Sequence, residues 1–159
     1  MTIDLGFRIS YVRVRFSFIT TLFGLFIFVI GAKPSWFGWD RSPAIVGFVQ
    51  IAVFLIGLAL ICIGGYVGLV ALWGREQRSI LADIGLRLVG TGYVIAVFTG
   101  MADVFGLGSQ PLPNVPYFCP WQAGGVAIAQ AIIALGFLMT IPYHLVFDKD
   151  SPNGKSVGD

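Results

Sequence analysis

Between Ser79 and Phe105 the chain reads SILADIGLRLVGTGYVIAVFTGMADVF, a stretch with no proline and long enough to cross a bilayer as a helix. It nevertheless carries Asp83, Arg87 and Asp103. A charge at the centre of a membrane helix costs roughly 2.5–3.5 kcal/mol on insertion scales, so such residues normally face protein or a wet cavity. Asp83 and Arg87 stand four apart, and positions i and i+4 share a helix face, so the two can largely neutralise one another. Arg87 lies about 12 Å past Ser79 by the helical rise, within reach of the interface for a long side chain. That predicts a structural intramembrane ion pair. Asp103 projects from a different side near the far end, as a second intramembrane acid.

Composition sets the class around this stretch. The 159 residues are 57% hydrophobic and 11% charged, against about 25% charged in an average soluble domain. Too few charges are available to cover a soluble surface, so one compact membrane domain over residues 1–159 is expected. The net charge of +2 is small and unclustered, which gives no ground for nucleic-acid binding. Cys62 and Cys119 are too few for a disulfide framework and too far apart for a CxxC site. The start, MTIDLGFRISYVRVRF, lacks a small-residue cleavage site, and the first apolar run reads as a retained anchor.

Taken in order, residues 1–15 alternate apolar and polar and carry Arg8, Arg13 and Arg15. They suit a short extended piece or an interfacial strip flanking the membrane. The first span is predicted at 16–32, with Gly24 and Gly31 marking a side open to close approach. Pro34 ends it. Trp36 and Trp39 follow and, with Trp73 and Trp121, are expected as anchors in the membrane interface. Ser42 and Pro43 form an N-cap and first-turn pair, so the second span is predicted at 43–73. Its small residues Gly57, Gly64 and Gly68 are candidates for helix packing, with Gln50 and Cys62 as ordinary helix contacts. The turn 74–78 is short, so the second and third spans should form an antiparallel hairpin.

The third span is predicted at 79–105. Residues 106–121 hold Pro111, Pro113, Pro116 and Pro120 and no charge, which denies helix. With Tyr117 and Phe118 this outer loop presents an apolar surface, either a lid over the bundle or a docking loop for another subunit. The last span is predicted at 122–147, with Ala123, Ala127 and Ala131 as a small-residue packing seam and Gln130 as an interhelical hydrogen-bonding group. Pro142 kinks or ends it, and 148–159 is a polar tail. The lone His144 cannot build a bis-histidyl haem or a three-ligand metal site within this chain.

Four spans put both termini and the central turn on one side. That side holds Arg8, Arg13, Arg15, Arg75, Arg78, Lys149 and Lys155, and the other only Lys33 and Arg41, so both termini are expected to be cytoplasmic. The predicted fold is an all-α, antiparallel up-down bundle of four transmembrane helices, in a bacterial inner membrane. No catalytic constellation, metal cluster or phosphate loop is visible, so no enzymatic activity and no cofactor are expected beyond bound lipid. The expected role is a non-catalytic accessory or scaffolding subunit whose partners are other membrane proteins and lipids. The alternatives are a small oligomeric transporter using Asp83, Arg87 and Asp103, and a quinone-, pigment- or lipid-binding module with aromatic clefts around Trp36, Trp39 and Trp121.

Overall fold

A computed structural model describes residues 3–33, 36, 38, 48–73, 78–107 and 120–142, with side chains from residue 11 onward. Among the described residues the chain is helical, with no strand. It forms α1 (Ile3–Ala32), α2 (Phe48–Trp73), α3 (Ile80–Gly100) and α4 (Pro120–Thr140). All four are long and apolar enough to cross a membrane. At 1.5 Å per residue, α3 and α4, of 21 residues each, measure about 32 Å, close to a hydrocarbon core. Large apolar side chains are exposed on every helix, as expected where lipid is the neighbour.

The helix boundaries depart from the predicted spans in informative places. α1 begins at Ile3, not at residue 16, so the alternating strip is helical and not an extended piece. No proline interrupts Ile3–Ala32, and a short alternation does not outweigh helix continuation from an adjoining long apolar run. α3 opens on Ser79, whose side chain accepts a hydrogen bond from the Ala82 N–H at 3.2 Å. Its regular part ends at Gly100, not Phe105. Residues 101–106 form a further irregular turn, in which the Leu107 N–H donates to the Ala102 carbonyl at 2.9 Å and the Gly106 N–H to the Asp103 carbonyl at 3.3 Å. With Gly106 at φ +75°, this is a Schellman stop, which glycine adopts without a Cβ penalty. Asp103 therefore sits in a capping turn and not in the helix. α4 starts on Pro120, where a missing N–H costs nothing, and ends before Pro142, which disfavours helix at Ile141. The predicted parts at 43–47, 74–77 and 143–159 lie outside the described residues, as do His144 and Cys119.

The four helices form two antiparallel hairpins, α1 with α2 and α3 with α4. A slimmer seam joins them through α2. Within each hairpin the backbones nearly touch. A Cβ placed on Gly57 would overlap the backbone of Phe28, and one on Gly31 the backbone of Phe54. In the second hairpin, a Cβ on Gly85 would lie 2.6 Å from the Gly136 carbonyl oxygen, and the converse holds equally. Gly64 and Gly68 meet Ser17 and Thr21, and the Ser17 hydroxyl donates to the Gly64 carbonyl at 2.7 Å. Small residues at such crossings let dispersion and backbone contacts replace the hydrophobic effect, which is absent between helices in lipid.

Between the hairpins the packing is made by side chains. Leu55, Leu58 and Cys62 of α2 meet Val89 and Ala96 of α3 and Ala129 and Ile133 of α4. At one end Trp73 is buried, 6% exposed, and its indole N–H donates to the Thr140 carbonyl at 2.9 Å. It is a bolt between α2 and α4, its indole donor meeting a carbonyl left free of helix bonding in the last turn of α4. The alanine seam also differs. Ala123, Ala127 and Ala131 lie on the exposed side of α4, whose buried face is Gln122, Val126, Ala129, Ile133, Gly136 and Thr140. Gly136, not the alanine run, gives the close approach to α3.

Candidate functional site

Two features stand apart from the apolar packing. One is the ion pair on α3. The Arg87 guanidinium donates from Nη2 to Asp83 Oδ2 at 3.0 Å, with side chains 81% and 53% exposed respectively. Asp83 occupies the first helical turn, where the dipole favours an acid. The Arg87 side chain springs from a Cα–Cβ bond tilted toward the same helix end. The pair thus faces outward, flanked on the exposed face of α3 by Ile80, Ile84, Gly90, Thr91 and Val94. Space beyond Gly90 is open, and the Thr91 hydroxyl turns back onto the Arg87 carbonyl at 3.0 Å. Asp103, half-buried in the capping turn, lies roughly 30 Å of helical rise from Asp83. The three charges do not converge.

The second feature is a cleft of about 250 Å³ between the hairpins, at the end where α1 and α3 finish and α2 and α4 begin. All four helices line it. Gly31 comes from α1, Gln50 and Phe54 from α2, Gly100 from α3, Ala127 and Gln130 from α4. It exists because the hairpins meet here through side chains only, and at Gly100 the nearest neighbours of an added Cβ stand 3.5–3.7 Å away. Among the described residues the lining is apolar apart from two carboxamides, Gln50 and Gln130, both half-buried. Neither is hydrogen-bonded to another described residue, so the interhelical bond expected of Gln130 is not made. The two helices carrying these amides touch at few points here, and the cleft separates them. Elsewhere in the interior polar groups are matched: Ser17 and Thr140 are buried and hydrogen-bonded, and buried Gln122 has a partner.

The remaining candidates fall as follows. Trp36 and Trp121 are 71% and 90% exposed, and neither lines the cleft between the hairpins. The Lys33 ammonium sits 5.2 Å from the centre of the Trp36 ring, a cation–π contact at the end of α1. Trp39, Pro111, Pro113, Pro116, Tyr117 and Phe118 lie outside the described residues. Among the described residues no three His, Cys, Asp or Glu side chains gather as a metal would require. The cleft amides went unassigned as a site in the sequence, where Gln50 falls at the start of α2 and Gln130 at the middle of α4. Their convergence needed the antiparallel pairing. No protein-family model, curated protein or solved structure matches the chain.

Proposed function

We propose that this protein is a non-catalytic subunit of a larger assembly in a bacterial inner membrane, oriented with both termini in the cytoplasm, where it seats other membrane subunits. The observation that carries this reading is the outward placement of Asp83 and Arg87. A charged pair facing hydrocarbon is costly, and a neighbouring subunit with polar groups at that height relieves the cost. The open space at Gly90 and the small alanines exposed on α4 supply surfaces on which another helix can lie closely. The orientation rests on the excess of basic residues at the ends and central turn. A transport route would need its charges to face one path, and the distance between Asp83 and Asp103 speaks against that reading.

The test is extraction of the native membrane in gentle detergent, native gel separation and mass spectrometry of the band that holds this chain. Reproducible co-migration with other membrane proteins supports the proposal. A band containing only the monomer or a small homo-oligomer overturns it.

A further inference from the structure

We propose that the cleft between the hairpins is a binding site for the uncharged, carbonyl-bearing part of an amphiphile, held through the amides of Gln50 and Gln130. Its basis is separate from the charged face of α3. An amide moved from water to an apolar environment without a hydrogen bond loses several kcal/mol on hydrocarbon scales. Two such groups line this cleft, and neither is hydrogen-bonded to another described residue. Both amides are half-buried and open to the cleft, so a molecule seated there can meet their N–H groups with an acceptor. Each carboxamide offers two N–H groups, and a carbonyl oxygen offers two lone pairs.

The rest of the lining sets the ligand's body. Among the described residues no charged side chain lines the cleft, which disfavours an anion or a cation. Phe54, Ile51, Leu55 and Val126 present apolar surface, and Gly31 and Gly100 leave room beside the backbone. About 250 Å³ falls just below the range of pockets that enclose a drug-sized molecule, so it admits a head or one chain segment while the remainder stays in lipid. Two sources share this chemistry: the ester carbonyl of a bilayer lipid and the ring carbonyl of an isoprenoid quinone.

The experiment uses the full chain, reconstituted in nanodiscs and released into native mass spectrometry. Three probes are compared: ester-linked diphytanoyl phosphatidylcholine, its ether-linked counterpart without carbonyls, and a short-chain ubiquinone. Retention of the ester over the ether lipid identifies a lipid carbonyl as the ligand, and preferential retention of the ubiquinone identifies the quinone. Q50L/Q130L keeps side-chain bulk but removes both amides. It should lower retention roughly tenfold, the scale of two neutral hydrogen bonds. Ala127→Phe, at an exposed position bordering the cleft, should abolish retention while leaving the helical circular dichroism unchanged. Equal retention of ester and ether lipids with no preference for the ubiquinone, no retention of any probe, or wild-type retention in both variants would each overturn the proposal.

Discussion

The two hairpins and the seam between them are built on different rules. Inside each hairpin glycine brings backbone against backbone, so that no side chain intervenes at Gly57–Phe28 or Gly85–Gly136. Across the seam, Leu55, Leu58, Val89 and Ile133 keep the helices apart by their own width, and near Gly100 they leave a cleft. A backbone crossing has no rotamer with which to yield, whereas a side-chain seam can repack. The hairpins are therefore the stiff units of the fold. The seam is where volume, polarity and ligand can vary without breaking it, and the two cleft amides lie there.

Overpacking a backbone crossing should have the largest effect. Gly57→Leu forces side-chain atoms into the Phe28 backbone, and the cost should reach about 3 kcal/mol, the upper end for overpacked cores. Reversible unfolding in mixed micelles would report it. The matched control is Gly90→Ala on the open face of α3, where an added methyl meets nothing within 4 Å. Helix propensity alone should make that variant slightly more stable, by about 0.5–1 kcal/mol. Equal effects at both positions would erase the distinction between the close crossings and the open face. A smaller loss is expected across the seam. Trp73→Phe removes the indole donor to the Thr140 carbonyl while keeping most of the buried ring, for about 1–2 kcal/mol, with each hairpin's helicity retained. If the loss matched that of Gly57→Leu, the seam would be as rigid as the hairpins.

This contrast was only half legible in the chain. Hydropathy marks four spans because a membrane helix must be long and apolar, and Gly106 and Pro142 mark where two of them stop. Which side of each helix faces its neighbours is another matter. In water a polar face turns outward and orients the helix, but here lipid and neighbour are equally apolar and that signal vanishes. The evenly spaced Ala123, Ala127 and Ala131 of α4 thus read as a seam, yet Ala129 and Gly136 are the small residues it buries. The i, i+4 spacing of Asp83 and Arg87 pointed to a pair, while its outward facing depended on how α3 docks. Gln50 and Gln130 are visible as separate amides, but only the docking of the two hairpins brings them to one cleft.

The smallest expected effect on the fold, and the one that separates fold from assembly, belongs to Asp83→Ala. Both partners of the pair are more than half exposed, and exposed ion pairs contribute from nothing to about 1 kcal/mol. The isolated protein should accordingly unfold within 1 kcal/mol of wild type, well short of the change in Trp73→Phe. In the native membrane the same substitution leaves Arg87 without its acid on the face proposed to meet a partner. A charge stranded at a buried contact costs far more than the pair was worth in the free subunit. The yield of the large assembly on a native gel should then fall severalfold while the amount of folded subunit holds steady. Arg87→Ala strands the acid instead and should act in the same direction, and removing both charges should recover part of the yield. A drop in subunit stability equal to the drop in assembly would place the pair in the fold's own interior. Unchanged assembly in all three variants would remove the outward face of α3 from the set of docking surfaces.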